Sequence, residues 1–229
     1  MKKLSVSMSG FEQSAGWVYY LFQLFLLPEL VILILNLFHQ SVTIFSVNFI
    51  IFLVNFIGFY CIFISFLKDS FKVFTRNLKR ILAIVFLGFV VYWVANALMH
   101  YLVLSVSPDH NNLNNAAIGT IAKDHLFLLL VGTVLLVPVA EELVFRGMIF
   151  GALYNQNKLF AYVLSAVAFS LIHLLGYLDD MTLIQALLSF MQYLPAGIVL
   201  AWTYAKTDTI FTPILIHAII NLIGTLTVR

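Results

Sequence analysis

Cysteine is almost missing from this chain. Cys61 is the one thiol in 229 residues, which excludes an intrachain disulfide framework and a Cys-rich metal centre. It stands in an apolar run, where a thiol serves as a small core or lipid-facing residue. Charge is scarce as well. Asp, Glu, Lys and Arg make up 10% of the residues, against about 25% in a soluble domain. Hydrophobic residues make up 62%, so an ordinary soluble domain is excluded and an integral membrane protein is expected. No nucleic-acid partner is expected; the lipid bilayer is. Repeats and low-complexity tracts are lacking too. The first apolar segment is longer than a signal-peptide core and no A-x-A-like cleavage site follows it, so it is expected to be a retained span.

What the chain has is long apolar runs. A span needs about 20 such residues, and seven are expected: residues 15–38, 41–67, 81–106, 125–150, 159–177, 183–205 and 209–228. The fold class is therefore all-α, a polytopic transmembrane helical bundle. Only His39 and Gln40 separate the first two runs, which suggests a tight hairpin. Residues 1–124 form an N-terminal membrane region with three spans, and residues 125–229 form a second region with four.

Lys and Arg in short loops set orientation. With the N-terminus inside, Lys2, Lys3, Lys68, Lys72, Arg76, Lys79, Arg80, Arg146, Lys158 and Lys206 fall on the inner side, and Lys123 and Arg229 on the outer. A cell-membrane protein with a cytoplasmic N-terminus is expected, with outer loops at 107–124 and 178–182. The inner run 68–80 is a topology-setting loop or a short amphipathic helix on anionic headgroups.

Few polar groups interrupt the spans. Residues 137–147 read V-P-V-A-E-E-L-V-F-R-G. An acid at membrane depth costs roughly 2.5–3.5 kcal/mol on insertion scales, so Glu141 and Glu142 are functional candidates. Helical spacing puts Glu142 and Arg146 on one face, where they can pair. Glu141 is turned about 100° away and is left to meet something else. Glu29, a buried acid beside Pro28, is read as a kink or helix-pairing residue. His173 follows Phe169 by one turn, and Asn221 follows His217 by one turn. Lipid offers such groups no partner, so Glu141, His173, His217 and Asn221 are expected to converge on one cluster. If the inner turn centres near Gln156, antiparallel helices hold Glu141 and His173 at one level.

A carboxylate in a dry site can act as general base toward water. Two imidazoles and an amide can hold that water, a metal, or the oxyanion formed on attack. Two His and one Glu match a three-ligand zinc set, although the helical H-E-x-x-H arrangement is absent.

Three motifs in order on successive apolar helices, E-E-x-x-x-R at 141–146, F-x-x-x-H at 169–173 and H-x-x-x-N at 217–221, resemble the CPBP intramembrane protease family. That family, also called Abi, comprises CAAX prenyl proteases and bacteriocin-processing enzymes. The resemblance covers about residues 125–225, a four-helix catalytic core. It implies a helical bundle with a cavity opening toward the cytosol and bilayer, and endopeptidase activity on a membrane-associated peptide or protein. It implies Glu141 as the water-activating residue, His173, His217 and Asn221 as shaping the site, and Glu142 and Arg146 as support. The family is commonly labelled metalloprotease, with zinc or another divalent metal on Glu141, His173 and His217 as one version. A glutamate-dependent mechanism without a metal is the other. The competing readings are a non-catalytic membrane regulator or bacteriocin immunity factor on the same scaffold, and a proton-coupled transporter. The oligomeric state and the substrate stay open.

Overall fold

The computed structural model describes residues 3–227. Lys2 and Arg229, both used above for orientation, and Val228 at the end of the seventh expected span lie outside the described residues.

Among the described residues the chain is a bundle of helices with no strand. Helix α1, Gly10–Phe25, starts from a reciprocal cap. The Ser9 hydroxyl accepts the Glu12 N–H, and the Glu12 carboxylate accepts the Ser9 N–H. The second Glu12 oxygen accepts the Phe66 N–H at 2.9 Å and so satisfies a donor in the first turn of a later helix. Helix α2, Leu27–Leu37, is bent by 55° from α1. Pro28 sits in its first turn and has no N–H to continue the ladder, which accounts for the break. Glu29, expected to be buried, is instead exposed there. The bend turns it outward, and a carboxylate is favourable at a helix N-terminus. His39 closes the hairpin into α3 with left-handed backbone at φ 52°.

Helix α3 is Ile44–Ile62, α4 is Ile64–Arg76 and α5 is Leu78–Val106. The inner run 68–80 is thus helical rather than a loop. In α4, Phe66, Leu67 and Ser70 face the protein while Lys68, Asp69 and Lys72 are exposed. Helix α6 runs over Leu113–Tyr154 with one kink, which corrects the outer loop expected at 107–124. The Asn112 side chain accepts the Asn115 N–H at 3.2 Å and starts the helix. Alanines and isoleucines then carry it to a local break at His125. Only residues 107–112 stay non-helical. Two stretches of α6, Val131–Leu136 and Leu143–Phe150, are wound as π-helix. Helix α7 is Lys158–Ile172, followed by a 3-10 turn at Leu175–Asp180. Helix α8 is Leu183–Thr207 and α9 is Phe211–Thr227.

By length and composition, α3, α5, α6 and α8 can each cross a membrane, and the bent α1–α2 pair can make a fifth span. The shorter apolar helices α7 and α9 fall below that test, so the expected count of seven is not reached on this measure. The bundle is built around α8, which packs on α5, α7 and α9. The α7–α8 crossing is close: a Cβ on Gly197 would stand 2.9 Å from Ala166 Cα.

Hydrogen bonds define two ends. At one, Leu4 pairs with Asn155, Ser5 with Asp208, Ser70 with Thr209, and Arg80 with the Lys206 carbonyl. Helix α4 and its cations lie at this end. At the other, Asn112 binds Gln192, Asn114 binds Tyr193, and Phe45 stacks on His125. Arg146 belongs to neither end. It was counted among the inner cations, yet its side chain is 0% exposed because an ion pair holds it inside the bundle.

Candidate active site

Glu142 and Arg146 form the pair that their spacing suggests. Arg146 Nη1 donates to Glu142 Oε1 at 2.9 Å, with both side chains fully buried. The guanidinium is held on other sides as well. Its Nη2 donates to the Ala196 carbonyl at 3.4 Å and the Gly197 carbonyl at 3.2 Å, and its carbon lies 4.4 Å from the centre of the Phe169 ring. A buried charge keeps its place only when paired and hydrogen-bonded in this way. Arg146 thereby fastens α6 to α7 and α8.

Each histidine is oriented through its Nδ1. His217 Nδ1 lies 2.8 Å from Glu142 Oε1, and His173 Nδ1 lies 2.7 Å from the Phe169 carbonyl oxygen. A carbonyl can only accept, and so can an ionised carboxylate, so each Nδ1 donates. A neutral ring then has Nε2 as acceptor. Both Nε2 atoms face Glu141. Glu141 Oε2 stands 3.8 Å from His217 Nε2 and 4.0 Å from His173 Nε2. These separations are too long for direct hydrogen bonds and suit one bridging oxygen.

Glu141, His173 and His217 are thus brought together. Asn221 lines the same cavity but has a task of its own: its Nδ2 donates to the Thr133 carbonyl at 2.7 Å. The reason lies in the π winding. Val137 N–H bonds to the carbonyl five residues back, at Gly132. The same register would match the Thr133 carbonyl with residue 138, which is proline and has no N–H. Asn221 supplies the missing donor.

Two further residues contribute, one named in a motif and one not. Phe169 appears in F-x-x-x-H, yet its part is double: its carbonyl orients His173 and its ring covers Arg146. Tyr193 stacks on His173 with ring centres 4.3 Å apart. Its hydroxyl donates to Asn112 Oδ1 at 3.2 Å and accepts from Asn114 Nδ2 at 3.0 Å. Nothing in the sequence separates Tyr193 from the other nine of the ten tyrosines.

The site opens into a cavity of about 810 Å³. The donor types Glu141, His173 and His217 suit zinc chemically. Tetrahedral bonds of about 2.0–2.1 Å place neighbouring ligand atoms only about 3.3 Å apart, and both Glu141–His separations exceed that. Among the described residues no group of three His, Cys, Asp or Glu is arranged to hold a metal ion. As placed, the residues do not close around a metal.

Comparison with known proteins agrees with the motif resemblance. Residues 123–223 match the family model described as Type II CAAX prenyl endopeptidase Rce1-like. "Putative membrane peptidase YdiL" of Bacillus subtilis (strain 168) is 35% identical over 85 residues, 37% of this chain and 30% of that protein. "Membrane-embedded CAAX protease MroQ" of Staphylococcus aureus (strain USA300) is 32% identical over 87 residues, 37% of this chain and 32% of that protein. "UPF0177 protein YbdI" of Lactococcus lactis subsp. lactis (strain IL1403) is 26% identical over 161 residues, 68% of this chain and 77% of that protein. The chain thus spans about a third of the length of the two named peptidases. No solved structure matches. Residues 123–223 thus resemble the Rce1-like family, and the long apolar helices together with these membrane relatives mark an integral membrane protein.

Proposed function

We propose that this protein is an intramembrane endopeptidase that hydrolyses a membrane-associated peptide or protein with water activated by Glu141. One observation carries the reading: Glu141 Oε2 and the two Nε2 atoms face one another at 3.8 and 4.0 Å. A water oxygen held at Glu141 Oε2 can bridge across either gap to an Nε2. Glu141 takes the water proton, and the hydroxide forms a bond to the scissile carbonyl carbon. The proton passes through the His173 and His217 side of the site, whose protonated Nε2 donates to the tetrahedral oxyanion. The C–N bond then breaks and the departing amine takes the proton. Glu142 keeps the His217 proton on Nδ1, and the Phe169 carbonyl does the same for His173. Arg146 holds the buried Glu142 in place through their 2.9 Å ion pair. Every step uses side chains of this chain alone.

The test is a comparison of new peptide N-termini in membranes that contain the wild-type protein, Glu141→Gln or His173→Ala at equal abundance. The expected result is a set of cleavage products present with wild type and lost with both variants. Products that persist in Glu141→Gln would reject the reading.

A further inference from the structure

A second recess lies at the end of the bundle that carries α4. It holds about 280 Å³, and none of its lining residues lines the cavity beside Glu141. Three cations from separate stretches of chain line it: Lys3 ahead of α1, Arg80 in the first turn of α5 and Lys206 in the last turn of α8. All three are exposed. Like charges gathered around one recess repel unless an anion offsets them.

The one acid in the lining is committed elsewhere. Asp208 Oδ1 accepts the Ser5 N–H at 2.9 Å and the Val6 N–H at 3.4 Å, and its Oδ2 accepts the Ser5 hydroxyl. Among the described residues none of the three cations makes an ion pair with an acid. Their supports are nonetheless fixed. The Asn155 side chain binds both the N–H and the carbonyl of Leu4, at 2.9 and 3.0 Å, and so holds the backbone beside Lys3. Arg80 Nη2 donates to the Lys206 carbonyl at 3.0 Å. That bond uses one of the five N–H donors of a guanidinium. A planar guanidinium fork suits phosphate, and lysines beside it add point charges.

The position of the recess points to the source of the phosphate. Helices α5 and α8 are each long and apolar enough to cross a membrane, and the recess sits at the first turn of one and the last turn of the other, at headgroup level. Inward from Arg80, helical spacing puts Ile84, Leu87 and Val91 on the same face of α5; inward from Lys206 it puts Trp202 and Ile198 on one face of α8. Leu87, Val91 and Ile198 are exposed. Lys206 Nζ lies 5.9 Å from the centre of the Trp202 ring, and tryptophan favours the membrane–water interface. A lipid phosphate in the recess leaves its acyl chains against apolar side chains, whereas a free phosphate would use the cations alone.

We infer that the recess between Lys3, Arg80 and Lys206 is a phosphate site, occupied by the headgroup of an anionic phospholipid. It is separate from the Glu141 site and does not depend on the endopeptidase reading.

The experiment is thermal unfolding of the full chain, purified in a neutral detergent and titrated with phosphatidylglycerol, phosphatidylcholine or inorganic phosphate. A ligand that binds the folded state raises the melting temperature with its concentration, so each titration yields an apparent affinity. Phosphatidylglycerol is expected to raise the melting temperature saturably. Phosphatidylcholine, whose choline offsets the phosphate charge, is expected to leave it unchanged. Removing one charged partner should weaken the lipid on the order of tenfold or more. Lys206→Gln and Lys3→Gln test this without removing the Arg80 side chain that binds the α8 carbonyl. Arg80→Gln is read against its own lipid-free melting temperature. Lys68→Gln combined with Lys72→Gln removes two cations of α4 that do not line the recess, and should bind as the wild type does. An equal loss in that control, or unchanged affinity in Lys206→Gln and Lys3→Gln, would overturn the inference. A shift by inorganic phosphate as large as that by the lipid, lost in the same variants, would overturn the lipid source in favour of a soluble phosphate.

Discussion

His217 and Arg146 meet on one atom: Glu142 Oε1 accepts Nδ1 of the histidine at 2.8 Å and Nη1 of the arginine at 2.9 Å. One buried oxygen therefore links an ion pair to the orientation of an imidazole. Removing Arg146 leaves that carboxylate unpaired, at a cost of about 3–5 kcal/mol. Arg146→Ala should lower both the folded yield and the melting temperature in detergent. Arg146→Lys should rescue little, because an ammonium cannot reach Glu142 and the two α8 carbonyls in one plane. Normal accumulation and melting of Arg146→Ala would contradict this role.

Asn221 is expected to act first on the backbone. Asn221→Ala leaves the Thr133 carbonyl without its donor and should cost about 1–3 kcal/mol. Pro138→Ala restores an N–H in the register that the π winding requires. In that background the cost of Asn221→Ala should shrink, which a double-mutant cycle on thermal unfolding reads directly. Strict additivity of the two changes would show that Pro138 is not the reason Asn221 is needed.

The tight α7–α8 crossing gives a sharp contrast between two glycines. Gly197→Ala would push a methyl to 2.9 Å from Ala166 Cα and 3.2 Å from its carbonyl oxygen. Neither backbone atom can yield without moving a helix, so a loss of about 1–3 kcal/mol is expected. Gly176 has nothing within 4 Å of an added Cβ, and Gly176→Ala should melt like the wild type. Equal melting of both variants would refute the close packing.

These variants also mark where sequence reasoning reaches and where it stops. The Glu142–Arg146 pair was legible because i,i+4 spacing on a helix is local geometry. The meeting of Glu141 with His173 was legible because a short turn between antiparallel helices sets their depth. The all-helical bundle followed from long apolar runs. Other features depend on information that no short window holds. The Asn-rich stretch after Ser107 reads as a loop by composition, yet one Asn112 cap converts it into the start of a 42-residue helix. The π winding of α6 has no residue signature, so the tie between Asn221 and Thr133 stayed hidden. Arg146 counts toward the inner-side cations by sequence, while its further partners on α7 and α8, which hold it inside the bundle, are distant in sequence.

Metal dependence separates two versions of the chemistry. The Glu141–His separations of 3.8 and 4.0 Å suit a bridging oxygen better than a shared ion. Prolonged chelation of purified, reconstituted protein is therefore expected to leave cleavage unchanged, with no metal lost on unfolding. Loss of cleavage on chelation, restored by zinc and matched by stoichiometric bound zinc, would replace the water-only version.

The central claim is that Glu141 is the base. The most direct measurement is the cleavage rate of a product-defined peptide by wild-type and Glu141→Gln protein, reconstituted side by side, with the melting temperature of each recorded. Gln keeps the shape and hydrogen-bonding capacity of Glu141 but cannot take the proton. The account predicts a fall of about 10²–10⁴-fold or more in rate at an unchanged melting temperature. A Glu141→Gln protein that cleaves at the wild-type rate would contradict it.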